Sequence, residues 1–344
     1  MIDWLTMELE YHHHPVKTGS ILSVSPDGEL EYQIVKRLPV RGSYSSNVLI
    51  RSGGAAGENV ATKLQICGNP TKFLNGHNVV GSRDLCQLAH DMCKKLFNQL
   101  DWLFSSSISK KLLSGEFKVT RIDINDYLEF DSLENALSWQ KAAVACSTSR
   151  QGSFTHKGTT SYIGQFSRRV MIKLYSKYLE LTQGKKGHKL PLELPHQEQL
   201  LNYVKNKIRA EITFRSMFLK DNNLSTAREL TPAKINEIYL RQLGKITMNS
   251  QVKLKPHEAL NIPKHLISSY MLWSDGFSLY DELPKPTFYR HRKALLAFGI
   301  DIKIPPVKQA SNVIPLMRII EAKQVSNMPT WCNKVGLIHE KRRA

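Results

Sequence analysis

Nowhere does this chain approach the roughly 18 to 20 consecutive apolar residues that a membrane-spanning helix requires. The opening MIDWLTMELE also lacks the basic start and apolar run of a secretory leader. The expected location is therefore the cytoplasm, with no membrane partner. Cysteine is scarce, and Cys67, Cys86, Cys93, Cys146 and Cys332 are odd in number, scattered and without a C-x-x-C pair. That pattern points to neither a disulfide framework nor a zinc site. SGGAAG at 52–57 lacks the G-K-S/T ending of a phosphate loop and reads as a flexible turn. His12, His13 and His14 are adjacent, so on an extended chain their rings diverge and do not converge on one ion. Acidic residues are also in deficit, 30 against 48 Lys and Arg, for a formal charge of +18. An excess of that size implies a polyanionic partner, and nucleic acid is the commonest.

With 344 residues, 41% of them hydrophobic, the chain can bury a sizeable core. It suits one large domain, expected at 1–224, and a smaller, mainly helical region at 225–344. The charge is uneven. Residues 141–220 hold 15 Lys and Arg against 4 Asp and Glu, whereas 101–140 hold 4 against 7. The fold class expected is α+β: a mostly antiparallel sheet with helices packed on one face, then the helical C-terminal region.

Period-two alternation marks the strands that matter. From Val170, the residues Val170, Ile172 and Leu174 share one face, and Met171, Lys173 and Tyr175 the other. In KVTRIDIND, Ile122 and Ile124 oppose Arg121 and Asp123. In KIRAEITFR, Ile208, Ala210, Ile212 and Phe214 oppose Arg209, Glu211 and Thr213. If these strands are neighbours, Asp123, Tyr175 and Glu211 share one open polar face. Two carboxylates there could hold Mg²⁺ or Mn²⁺ through hard oxygen ligands. A phenol with a pKa near ~10 is a poor nucleophile at neutral pH. Lys173 and Lys177, two residues either side of Tyr175, lower the cost of the phenolate and attract phosphate. Arg121 and Arg209 suit backbone-phosphate contacts, with Lys173 beside them. Taken singly, Tyr175 reads more readily as a structural strand-end tyrosine, and Arg121 with Asp123 as a solvated edge or a salt bridge.

Elsewhere, residues 20–66 read as short strands with a P-D-G hairpin turn. A helix over 82–104 is expected from Leu85, Leu88, Ala89, Met92, Leu96, Leu100 and Leu103, with Ser82 as its N-cap. Asp131-x-x-Glu134 reads as a capping box for the next helix. Around 264–299, two helices and a Gly-containing turn suggest a helix-turn-helix. Its second helix, starting at Pro286–Thr287 and stopping at Gly299, would present Tyr289, Arg290 and Arg292 to DNA. A basic solvated helix in a bundle is the other reading.

The segments MID at the start, GHNVVG (76–81), TRIDI (120–124), LYSKYLEL (174–181), IRAEITFRSMFLK (208–220) and NVIPLMRII followed by PTW (312–331) occur as an ordered set. Together they resemble the phage and plasmid replication proteins of the gene II/X family, initiators of rolling-circle replication in filamentous phages. The resemblance implies an endonuclease that nicks the viral strand of double-stranded replicative-form DNA at the phage origin. It would leave a 3′-hydroxyl for host polymerase, act beside the host replicative helicase, and later rejoin the displaced single strand. The family's nucleophile lies in a Y-x-K-x-x-E segment, here Tyr175, Lys177 and Glu180. YIGQFS (162–167) and Y-x-K also resemble plasmid rolling-circle initiators, whose R-x-D and R-x-E strands map a metal role onto Asp123 and Glu211. The His-hydrophobe-His motif of the better-known relaxases is absent from this sequence. Two other functions are weighed beside this one. One is a non-enzymatic origin- or operator-binding protein. The other is a tyrosine recombinase, for which the required Arg/His set before a C-terminal tyrosine is missing.

Overall fold

The computed structural model describes residues 1–55, 59–149, 152–153, 155–184, 188–244, 247–248, 261–296, 298, 300, 302–303 and 331–332. Its centre is a nine-stranded sheet. In chain order the strands are β1 (Ile2–His13), β2 (Ser20–Val24), β3 (Leu30–Val35), β4 (Leu38–Arg41), β5 (Asn47–Gly53), β6 (Ala61–Gly68) and β7 (Lys118–Glu129). There follow β8 (Ser147–Ser149), β9 (Gly152–Ser153), β10 (Thr155–Lys157), β11 (Thr160–Ile163), β12 (Val170–Ser176), β13 (Lys207–Arg215) and β14 (Thr247–Met248). The sheet order is β10-β11-β12-β13-β7-β1-β6-β5-β4, and the pairings are antiparallel. β2 and β3 form a separate ribbon, and β14-β8-β9 a small sheet. The fold class is α+β, as the alternation implies.

The apolar parity of each strand faces one layer of helices. These include α1 (Pro70–Asn75), α2 (Leu85–Gln99), α3 (Ser106–Leu113) and α4 (Leu133–Cys146). Ile2, Leu5, Ile122, Ile124, Ile172, Leu174, Ile208, Ile212 and Phe214 share one core with Leu88, Met92, Leu96 and Phe97 of α2. After α5 (Lys177–Gln183) and α6 (Gln197–Val204), helices α7 (Ser216–Asp221) and α8 (Pro232–Leu243) complete that core through Leu219, Ile235, Ile238 and Leu243. The packed unit thus continues past residue 224. The helices α9 (Lys264–Ser274), α10 (Leu279–Glu282) and α11 (Lys285–Leu296) enclose a cluster of their own, with Leu266, Trp273, Leu279, Phe288 and Leu295 buried. Among the described residues, no helix is long and apolar enough to cross a membrane.

Several local expectations change. α2 stops at Gln99 with Leu100 as its C-cap, and Leu103 stands 78% exposed. The apolar spacing runs past the helix end because Leu103 belongs to the connection to α3. Asp84, not Ser82, caps α2 by accepting from the Gln87 amide, while Ser82 Oγ accepts from the Asp84 amide. Ser132, not Asp131, accepts from the Asn135 amide at the start of α4. α11 begins one residue before Pro286, and Gly299, NVIPLMRII and Pro329–Thr330 lie outside the described residues. Of the histidine run, His13 turns inward, its Nε2 2.8 Å from Ser52 Oγ, while His12 and His14 are exposed.

Leu96→Ala should cost about 2–5 kcal/mol of stability by opening a cavity under the sheet. Leu103→Ala, at a position with the same apolar spacing, should stay within about 0.5 kcal/mol. Urea unfolding of the two variants checks both.

Candidate active site

Register on the polar face brings the expected residues together. β12 pairs with β13 so that Lys173 lies opposite Glu211 and Tyr175 opposite Arg209. β13 pairs with β7 so that Glu211 lies opposite Asn125 and Thr213 opposite Asp123. Cross-strand partners point to the same face, so Tyr175, Lys173, Arg209, Glu211, Asn125 and Asp123 share one side. Ser176 ends β12 and caps α5 by accepting from the Leu179 amide at 3.3 Å. That cap makes Lys177 the first residue of α5 and keeps it in the same cleft. The cleft holds about 710 Å³ and is lined by Asp3, Trp4, Arg121, Asp123, Lys173, Tyr175, Lys177, Glu180 and Glu211, among others.

At its floor the Tyr175 hydroxyl donates to Glu211 Oε2 at 3.0 Å. Lys173 Nζ donates to Glu211 Oε1 at 2.6 Å. Arg121 grips Asp123 with two hydrogen bonds of 2.8 and 2.6 Å and lies over the Trp4 ring. Lys177 is ion-paired with Glu180 one helical turn on. Arg209, expected to contact DNA, is fully buried instead. Its guanidinium donates to Tyr127 Oη at 2.7 Å and to the carbonyl oxygens of Asn78 and Val79, and it reaches Tyr175 Oη at 3.5 Å. A guanidinium consumed in this way offers a duplex backbone nothing; it positions the tyrosine from beneath. Arg121 remains about a third exposed and Lys173 about a fifth, so these two can meet phosphate. Arg290 is exposed on α11, away from the sheet's core, with Arg292 on the same helix.

Asp3 is the site residue that alternation misses. It accepts from Asn69 at 3.0 Å, Asn78 at 2.8 Å and Arg209 at 3.4 Å. The β1–β7 register slips between Ile2 and Trp4, so simple parity misplaces this carboxylate. Asn78 reaches it because Gly76, at φ 79°, ends α1 in the left-handed region and turns the following loop over the sheet. A Cβ at Gly76 would collide with the Tyr44 ring.

Burial, then the Glu211 charge, pushes the Tyr175 phenol well above its ordinary pKa, with Arg209 opposing. The phenol therefore stays protonated in the free protein. Burial also raises Glu211, and the Asp3 and Asp123 charges raise it further against the pull of Lys173. The Lys177 amine is lowered by burial and by Arg209.

Whether a divalent cation suits this face turns on the donor set. Asp123 and Glu211 are hard oxygen donors whose mutual repulsion a cation would relieve. Beside both, fully buried Asn125 has neither side-chain atom hydrogen-bonded. The chemistry fits, with a cation taking over from Arg121 and Lys173 as the countercharge. Among the described residues no three His, Cys, Asp or Glu side chains form a ready cluster, so the fit rests on two carboxylates and an amide oxygen.

Comparisons with known proteins agree with the segments singled out above. The family model for the N-terminal part of the phage replication-associated protein (the gene II protein) matches residues 1–233, and that for its C-terminal part residues 254–338. The replication-associated protein of this type from Enterobacteria phage I2-2 is 39% identical over 328 residues, covering 95% of each chain. The solved rolling-circle replication initiator protein of Geobacillus stearothermophilus is 13% identical, covers 64% of this chain and 78% of its own, and superposes with a TM-score of 0.27.

In ultraviolet pH titration without divalent metal, Tyr127, Tyr175 and Tyr239 should all ionise well above the ordinary tyrosine range, and Tyr175→Phe should remove one of these three late-titrating groups. A Tyr175 that titrates like free tyrosine would contradict the buried hydrogen bond to Glu211.

Proposed function

Since the chain belongs to the phage replication-associated protein (gene II protein) family, we propose that it initiates rolling-circle replication by nicking one strand at its phage origin and later rejoining it. The observation that carries this reading is the Tyr175 hydroxyl held 3.0 Å from the Glu211 carboxylate at the floor of a basic-rimmed cleft. Any buried tyrosine hydroxyl needs an acceptor. What favours a nucleophile here is that the acceptor is a carboxylate able to take the proton, at the floor of an open cleft rimmed by cations.

In the proposed reaction Tyr175 Oη attacks the scissile phosphorus in line. The bond from phosphorus to the 3′-oxygen breaks, leaving a 3′-hydroxyl and a 5′-phosphotyrosine. Glu211 Oε2, already hydrogen-bonded to Tyr175 Oη, relays the phenol proton towards solvent, and the departing 3′-oxygen takes up a proton from water, so that charge balances. Arg209, fixed by Tyr127 and the 78–79 carbonyls, holds Tyr175 Oη and offsets phenolate charge as it develops. Lys173 and Arg121, at the cleft rim, bind the phosphate, and Lys177 supplies charge from the α5 terminus. Asp123 and Glu211, with the Asn125 amide oxygen, would hold Mg²⁺ or Mn²⁺, which when bound polarises a non-bridging oxygen and assists the leaving 3′-oxygen. Rejoining is the reverse transesterification, with a 3′-hydroxyl attacking the phosphotyrosine.

The nicking unit, first delimited at 1–224, is taken to include α8, because Ile235, Ile238 and Leu243 finish its core. The helices from 264 onward are assigned to origin binding through Arg290 and Arg292. The substrate is replicative-form DNA in the cytoplasm of the bacterial host, the product strand is single-stranded viral DNA, and host helicase and polymerase take over the 3′-end. The position of the Tyr175–Glu211 pair at the floor of an open, cation-rimmed cleft favours chemistry over binding alone.

Tyr175→Phe should abolish nicking of supercoiled origin DNA and the covalent protein–DNA adduct, while origin binding stays within about twofold of wild type. A nicked circle produced by that variant would remove Tyr175 from the chemistry. Asp123→Asn should raise the Mg²⁺ needed for half-maximal nicking at least ~10-fold, the loss typical even of groups that merely support a ligand. An unchanged Mg²⁺ requirement would place the metal elsewhere.

A further inference from the structure

The ribbon of β2 and β3 stands apart from the nine-stranded sheet and pairs only with itself among the described residues. Of its eleven strand residues, seven are large apolar or aromatic side chains exposed by 45% or more: Ile21, Leu22, Val24, Leu30, Tyr32, Ile34 and Val35. They occupy both faces, since Ile21 pairs with Ile34 and Ser23 with Tyr32 on one side, and Leu22 with Gln33 on the other. An isolated two-stranded ribbon is marginally stable in water, and a concentration of exposed apolar groups marks an interaction surface. This ribbon lacks a partner within its own chain among the described residues.

Charge identifies the partner. The tip carries Asp27, Glu29 and Glu31. The root carries Lys17, Lys36 and Arg37, all exposed. With three acids and three bases between Lys17 and Arg37 the ribbon has no net charge to draw a polyanion, which sets DNA aside for this element despite the chain's +18 charge. Six residues of strand separate tip from root by about 20 Å. That exceeds the ~8 Å screening length at physiological salt, so the two ends of one ribbon barely neutralise each other. Lys17, Lys36, Asp27 and Glu29 have no ion-pair partner among the described residues. A second copy of the same ribbon, laid antiparallel about a two-fold axis, sets each acidic tip on the other's basic root and covers one apolar face of each ribbon, that of Ile21, Tyr32 and Ile34, in the same contact.

We propose that the β2–β3 ribbon is a dimerisation arm whose occupant is the identical ribbon of a second copy of this chain. It lies outside the tyrosine cleft and does not depend on the chemistry assigned there. Two copies joined in this way would present two nicking units to one origin.

The test is sedimentation velocity on the full chain at low ionic strength over a range of concentrations. Wild type should show a concentration-dependent dimer. K17E/K36E, which places like charges at both junctions, should weaken dimerisation by about tenfold or more. Adding D27K/E29K to that same chain reverses both ends and should restore dimerisation to within about threefold of wild type. This rescue separates lost complementarity from misfolding, because a damaged ribbon would not recover on further substitution. Tyr32→Ser with Ile34→Ser should also give monomer, with the far-ultraviolet spectrum of the sheet retained. A wild-type chain that stays monomeric throughout overturns the proposal. So does a K17E/K36E dimer as tight as wild type, or a Tyr32/Ile34 variant that self-associates normally but loses origin DNA.

Discussion

Cross-strand pairing of Lys173 with Glu211, Tyr175 with Arg209 and Thr213 with Asp123 is the constraint on which the rest of the molecule depends. In an antiparallel sheet a slip of one residue moves a strand's whole side-chain set to the opposite face. Here a slip would drive Glu211 and Arg209 into the helix-covered core and expose Ile208, Ile212 and Phe214. The apolar layer beneath the sheet therefore enforces the register that gathers the polar groups above it. Core packing and site geometry are two consequences of one pairing.

That polar face is assembled from charges that are costly to bury. Asp3, Asp123 and Glu211 lie in the same cleft as Arg121, Lys173 and Lys177, with Arg209 beneath. Buried charges persist only when paired and hydrogen-bonded, and each acid here has a basic partner. The balance is local and uneven. Arg209 is sealed among carbonyl and phenol oxygens, whereas Arg121 and Lys173 keep part of their surface in solvent. The sealed cation holds the tyrosine, and the two open ones can exchange a carboxylate partner for a phosphate. Burial and the Glu211 charge keep the Tyr175 phenol protonated in this setting, with Arg209 opposing them.

Much of this is legible in the chain. Alternation along 118–124, 170–175 and 207–215 locates three central strands and the correct face for Asp123, Tyr175 and Glu211, since a strand's period does not depend on what lies beside it. Where local pattern meets tertiary context, it fails in recognisable ways. Leu103 fits the helical spacing of α2 yet sits beyond the Gln99 end of the helix. Asp3 escapes notice because a register slip in β1 breaks parity at that residue. Arg209 reads as a DNA contact because an arginine beside acidic positions looks the same whether solvated or buried. Its true partners, Tyr127 and the carbonyls of the 78–79 loop, lie about 80 and 130 residues away in sequence.

The sequence by itself determined the α+β class, the polar and apolar faces, the basic excess and the membership signalled by its ordered motifs, because these follow from residue periodicity and composition. Strand order, the burial of Arg209, the recruitment of Asp3 through the Gly76 turn and the unaccompanied apolar ribbon were decided only by the tertiary structure. Each depends on which distant segments share a surface, and no local spacing encodes that.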